Sequence, residues 1–208
     1  MAPRAYNTET RLQQQLQLKA RIAAAAAELH AQQGVVGTSY AQIAARAGVS
    51  LPTVYNHFPT QEALVGACTG HVRERAPQLP IEKLLAAPDL PSAAVALVRA
   101  TGRLHEHLEP WMVWREHRLV PALSAQMDHI RARSTAAIEQ VLRRHLDTAA
   151  AARVAPLWEA LLHFELWHRL VRQHGVAPPL ARRMLVRWLL AAADAPKRPR
   201  SSRPLQRS

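Results

Sequence analysis

The stretch Thr38–Leu64, "TSYAQIAARAGVSLPTVYNHFPTQEAL", holds three helix starts and one sharp turn in close succession. Ser39 is placed to cap a helix, and Gln42, three residues on, closes a capping box. Ile43, Ala44 and Ala47 give that helix a small-residue inner face, so a neighbour can lie close. Gly48 suits the left-handed turn that ends a helix, and Val49 is expected as a buried plug. Ser50 caps the next helix, with Pro52 tolerated in its first turn. Pro59 interrupts the chain again, and Thr60 caps a third helix opening "QEAL". The pattern predicts a helix-turn-helix, a unit that lays its second helix in a DNA major groove.

On that second helix Val54 and Phe58 stand at i and i+4 and face inward, with Leu51 beneath them. Pro52, Thr53, Tyr55, Asn56 and His57 are left outside. Hydroxyls and short amides of this kind bond phosphate oxygens or base edges, and a threonine methyl can touch thymine. Open N–H groups at capped helix starts are seats for phosphate.

The rest of the chain fits such a unit. Its 208 residues are 49% hydrophobic, with few glycines. Alanine, leucine and arginine dominate, all strong helix formers, which predicts an all-α protein. No apolar run reaches the roughly 18 residues of a membrane span. Met1–Thr10 lacks the apolar core of a secretory signal, and Cys68, the single cysteine, excludes an internal disulfide framework. A cytoplasmic protein is expected. The net charge of +12 attracts polyanions, nucleic acid among them.

Residues 1–14 are polar and expected to be a flexible amino terminus. A helical pattern opens near Gln15 with Ile22, Ala26 and Leu29, and the predicted DNA-binding domain spans 15–67. Residues 68–193 form a second helical domain. One stripe there runs from Ala94 to Leu108 and closes at Pro110; another runs from Leu123 to Leu142. Val154–His174 reads as one helix, apolar around most of its circumference. Gly175 ends it, and a last helix carries Leu180, Leu185, Trp188 and Leu189. The remainder, 194–208, is rich in Pro, Arg and Ser and reads as a disordered basic tail.

The motif "IAARAGVS…TVYNHFP…EAL", preceded by a helix ending "AAAELHAQQG", resembles the amino-terminal domain of TetR-family transcriptional repressors. That resemblance covers about Gln15–Ala67. It implies a homodimer on a palindromic double-stranded operator, each subunit placing Leu51–Phe58 in the major groove. It also implies a carboxy-terminal domain that dimerises through its last two long helices and holds an effector ligand. By the same resemblance, Thr53 stands at a DNA-contacting position, and Tyr55 and His57 at positions that bond backbone phosphates. Thr38, Ser39 and Tyr40 lie where the preceding helix meets the backbone; Pro52 and Asn56 occupy positions that vary with operator sequence. Ser50, Thr60 and Gln61 complete the candidate DNA-binding set. The sequence departs from the family in three places: Gln61 replaces a common lysine, Leu51 a usually polar residue, and His30 a core aromatic or aliphatic one. The basic residues Arg4, Arg11, Lys19 and Arg21 are expected to compensate in part for the missing lysine.

The two apolar segments near the end predict a dimer seam through Leu157, Leu161, Leu185, Trp188 and Leu189, a four-helix arrangement about a two-fold axis. Such an axis would set the two recognition helices one DNA turn, roughly 34–36 Å, apart. Candidates to line an effector pocket are Leu104, His107, Trp111, Trp114, Met127, Trp158, His163 and Trp167; aromatic residues at helical spacing more often serve as plain core. Histidines are plentiful, but none has ligand spacing, so no metal is expected and no cofactor is implied. Glu106, Glu116, Glu159 and Glu165 offer carboxylates for an all-helical enzyme, yet no nucleophile, base and orienting group stand in order. The reading is therefore a DNA-binding regulator rather than an enzyme. The alternative is a DNA- or partner-binding dimer that answers to no effector.

Overall fold

The computed structural model describes residues 4–194, with side chains from Glu9 onward. Ten α-helices follow one another, with no strand among the described residues. They are α1 (Arg4–Gln33), α2 (Tyr40–Ala47), α3 (Leu51–His57), α4 (Gln61–Glu74), α5 (Ile81–Leu85), α6 (Leu90–Met112), α7 (Pro121–Leu142), α8 (Thr148–Leu161), α9 (Phe164–His168) and α10 (Pro178–Asp194). A short 3-10 turn, Glu116–Arg118, separates α6 from α7. The all-α expectation holds. No helix of the described residues is long and apolar enough to cross a membrane.

The chain divides into two compact units, Met1–Pro80 with Arg99–Ser134, and Ile81–Val98 with Thr135–Ser208. The first is built on α1. Ile22, Ala25, Ala26 and Ala27 form a narrow apolar stripe that packs with Ile43, Ala44 and Ala47 of α2, Val54 and Phe58 of α3, and Leu64, Cys68 and Val72 of α4. Small side chains on α1 and α2 let the helix backbones approach closely, and larger residues fill the remaining space. The second unit buries Trp158 completely, among Leu97, Val98, Leu142, Val154 and Leu189. The Trp158 Nε1 hydrogen donates to the carbonyl of Leu189 at 2.9 Å, so the indole keeps a polar partner inside the core.

Several expectations need correction. Residues 4–14, read as flexible, are helical: α1 starts at Arg4, because no Gly or Pro interrupts the chain between there and Gln33 and most residues are good helix formers. Pro110 does not close α6, which runs on to Met112. The helix continues past the proline despite its missing N–H and bulky ring, and the next turn closes through Val113 N–H to the Glu109 carbonyl at 3.2 Å. The helix expected over Val154–His174 is broken: α8 ends at Leu161, α9 starts at Phe164, and a π-helical turn follows over Arg169–Gln173. Residue 67, the expected domain boundary, falls inside α4. The basic tail lies outside the described residues beyond Asp194.

Candidate nucleic-acid interface

The local chemistry of Thr38–Leu64 folds much as its residues dictate. The Ser39 hydroxyl accepts the Gln42 N–H at 3.2 Å, and the Gln42 side chain accepts the Ser39 N–H at 2.8 Å, which closes the capping box. Gly48 takes φ +64°, and the next amide, Val49 N–H, reaches back to the Ala44 carbonyl at 3.0 Å. The Ser50 hydroxyl accepts from Thr53 N–H at 3.3 Å and lies 2.7 Å from the Thr53 hydroxyl. The Thr60 hydroxyl accepts from Ala63 N–H at 3.2 Å to start α4. Two caps and one left-handed glycine thus fix α2 and α3, and a third cap starts α4.

Val54 and Phe58 are buried, whereas Pro52, Tyr55 and Asn56 are exposed and Thr53 and His57 half-buried. Leu51 was expected beneath the helix and is instead exposed, because it occupies the first helical position, where the stripe from Val54 to Phe58 has not begun. Val49 is half-buried rather than a full plug. Ser39, Ser50, Thr60 and Gln61 are exposed, and Thr38 and Tyr40 half-buried. Of the open amides expected at the start of α2, those of Ser39 and Gln42 are already bonded within the capping box; those of Tyr40 and Ala41 lack an intrahelical acceptor by position. Tyr40 stacks on Tyr55, and burial first, then the neighbouring Tyr55 and Glu62, raise its phenol pKa. The hydroxyl therefore stays protonated and able to donate to an anionic oxygen.

The surface of α2 and α3 carries little formal charge. Arg46 is its one guanidinium, and its Nη2 pairs with the Glu28 carboxylate of α1. What these helices offer an anionic duplex is mainly hydroxyls, amides and one imidazole, a set suited to positioning on phosphates and reading base edges.

Behind this surface, α1 ends in a turn that sequence reasoning missed. Gly34, at φ +76°, leads into Val35 and Val36, whose N–H groups donate to the two carboxylate oxygens of Glu116 at 2.5 and 2.9 Å. The Nε1 hydrogens of Trp111 and Trp114 donate to the carbonyls of Ala27 and Ala31 at 2.7 and 3.3 Å. His107 Nε2 donates to the Val72 carbonyl at 3.3 Å. Glutamate spacing offered no signal for the first contact, since its partners stand 81 and 80 residues away. His30 is buried beside Cys68, with Nδ1 3.4 Å from the thiol; burial lowers its pKa to about 4 and raises that of Cys68 to about 11. Both are neutral at ordinary pH, so the thiol is a core filler of low reactivity.

The expected pocket residues divide between the two units. Leu104, His107, Trp111, Trp114 and Met127 belong to the first; Trp158, His163 and Trp167 belong to the second. His107, Trp111 and Trp158 spend their N–H groups on backbone carbonyls. His163 is exposed and accepts the Glu165 N–H at 3.3 Å, capping α9. Of the seam candidates, Leu185 and Leu189 are buried within the subunit's own core, Leu161 and Trp188 are half-buried, and Leu157 is 46% exposed. Among the described residues no three His, Cys, Asp or Glu side chains gather as a metal site would require.

Residues 22–68 match the family described as bacterial regulatory proteins, tetR family. The fold is similar to that of a transcriptional regulator from Rhodococcus sp. Rha1, at 20% identity over 84% of this chain and 95% of that one, with a TM-score of 0.61. It is also similar to SmeT in its triclosan complex (18% identity, 84% and 90% coverage, TM-score 0.59). A third likeness is to the multidrug binding protein EbrR complexed with imidazole (22% identity, 82% and 93% coverage, TM-score 0.53). A comparison with curated proteins finds no match.

Proposed function

We propose that this chain is a member of the TetR family of bacterial regulatory proteins, as the match over residues 22–68 supports, and that it is a dimeric, sequence-specific repressor released from its operator by a small molecule. The observation that carries the DNA-binding part is the α2–Gly48–α3 unit, with both helices capped and Thr53, Tyr55, Asn56 and His57 at least partly open to solvent. In this reading α3 enters the major groove. Pro52 and Asn56 face base edges, while Thr38, Ser39, Tyr40, Tyr55 and His57 bond phosphates, with Ser50, Thr60 and Gln61 at the margins.

Dimerisation through α8 and α10 would place two copies of α3 on adjacent turns of a palindrome. Leu157, exposed on α8, supports such a seam, as do the partly open Leu161 and Trp188. Release by an effector is supported by the ligand complexes of the structural relatives EbrR and SmeT. A ligand acts in this way only if it binds the two conformations of the regulator with different affinities. The partners of the protein are then duplex DNA, a second copy of itself and an effector, in the cytoplasm, with no catalytic turnover.

Selection of duplexes from a random pool by the full-length protein, followed by gel-shift titration at moderate salt, tests the reading. An enriched palindrome bound far more tightly than scrambled DNA is expected; recovery of no preferred sequence counts decisively against it.

A further inference from the structure

We infer that Glu116 is a positioning residue for the phosphate-facing segment Thr38–Tyr40, an assignment that rests on the DNA-binding reading above. The segment hangs on a turn that the helix ends alone do not fix. Gly34 leaves the right-handed region at φ +76°, which frees Val35 and Val36 to aim successive N–H groups at one point. The Glu116 carboxylate occupies that point, with one oxygen on each amide at 2.5 and 2.9 Å. Charge-assisted bonds of this kind are stronger than neutral ones.

The glycine is matched to the carboxylate. A Cβ built on Gly34 would lie 2.5 Å from Glu116 Oε1 and 2.9 Å from Oε2, so the turn closes around the acid only because no side chain is there. From the clamped turn, bonds run directly to the DNA-facing residues. Thr38 N–H donates to the Val35 carbonyl at 3.2 Å, and its hydroxyl donates to the Gly34 carbonyl at 2.6 Å. Gln33 Nε2 reaches the Gly37 carbonyl at 2.9 Å and Gln42 Oε1 at 3.3 Å, the same oxygen that accepts the Ser39 N–H. Trp111 and Trp114 hold the chain ahead of Glu116 onto α1, so the acid is delivered from a fixed base. The carboxylate touches no predicted DNA contact itself; it acts by setting where Thr38, Ser39 and Tyr40 lie.

Glu116→Gln tests the assignment. The amide keeps the shape but turns an NH2 group toward one of the two N–H donors. Three readouts on full-length protein separate positioning from stability: affinity for the selected duplex by anisotropy, amide exchange in DNA-free protein, and thermal midpoint. Expected are faster exchange at Val35, Val36 and Thr38–Gln42 with exchange in the interior of α4 unchanged, and affinity about tenfold weaker. That loss should shrink in a Ser39→Ala background, because the two changes act on one contact. Should E116Q fail to fold, Glu116→Asp, with its charge on a shorter arm, carries the same comparison. Wild-type protein that binds duplex while the variant binds equally well, or losses that simply add in the double variant, overturn the assignment alone. Wild-type protein that selects no duplex overturns the DNA-binding reading and this assignment with it.

Discussion

Tyr40 of α2 and Tyr55 of α3 lie face to face, their ring centroids 4.7 Å apart and their planes 17° from parallel. The stack joins the two helices through the half-buried Tyr40, which also packs against their shared core, and the exposed Tyr55. It also constrains two side chains that would otherwise sample several rotamers. Removing the Tyr40 ring should therefore weaken DNA binding beyond the loss of one hydroxyl. Tyr40→Phe keeps the stack and is expected to cost about 0.5–1.5 kcal/mol of binding if the hydroxyl bonds phosphate. Tyr40→Ala should cost about 0.5–1.5 kcal/mol more, the contribution of the ring pair itself. Anisotropy titrations of both variants against one operator check this; equal losses would remove the stack from the account.

Two left-handed glycines in the first unit make a controlled pair. Gly48 has nothing within 4 Å of the position a Cβ would take, so Gly48→Ala meets only backbone strain, about 1–2 kcal/mol. Gly34→Ala meets the same strain and also displaces the Glu116 carboxylate. It should destabilise the protein more than Gly48→Ala in urea unfolding. Its cost should fall in a Glu116→Ala background, because the overlap is then gone. A Gly34→Ala cost no larger than that at Gly48 would mean the turn has room to spare.

The helix-turn-helix was legible because its signals are local. Ser39 with Gln42, Gly48, Ser50 and Thr60 each bond within five residues of themselves, and such chemistry can be read from spacing alone. Glu116 was not legible, since nothing near it in sequence marks a carboxylate that closes a turn 80 residues back. The break between α8 and α9 was hidden for a related reason: it carries no Gly or Pro, and His163 caps α9 with a ring nitrogen that composition does not advertise. Apolar stripes also cannot say whose core they fill. Leu185 and Leu189 read as seam residues alongside Leu157, yet they pack in the same cluster as Trp158.

Leu157 is the residue on which a dimer through α8 can best be tested. It is 46% exposed in the single chain, and replacing an exposed side chain usually changes subunit stability by no more than about 0.5 kcal/mol. In a paired seam the same residue would be covered, and a charge there would lack a partner. Leu157→Glu is accordingly expected to leave the unfolding midpoint of the isolated subunit nearly unchanged. In sedimentation the species should shift from twice the 23.1 kDa chain toward the chain itself. It should also weaken operator binding, because two linked copies of α3 grip a palindrome better than one. A variant that sediments as the wild type does would move the seam elsewhere.

His30 gives the first unit a pH dependence of definite sign. Burial depresses its pKa to about 4, against 6.5 for an unburied imidazole, although the nearby Glu116 charge works the other way. Near pH 7 the ring is mostly neutral both folded and unfolded, so it adds little penalty. As pH falls from 6.5 to 4, the unfolded chain takes up a proton that the folded chain refuses, and stability drops. Below about 4 both forms are protonated and the loss levels off, at a total of about 3 kcal/mol from the size of the shift. His30→Leu keeps an apolar group of similar bulk there and removes the proton, so the variant should lose less stability than the wild type across that window. The difference between the urea midpoints of the two proteins from pH 7 to 4 reports the imidazole together with its coupling to Glu116. Parallel profiles would mean that the ring reaches solvent and takes its proton while the helices are still packed.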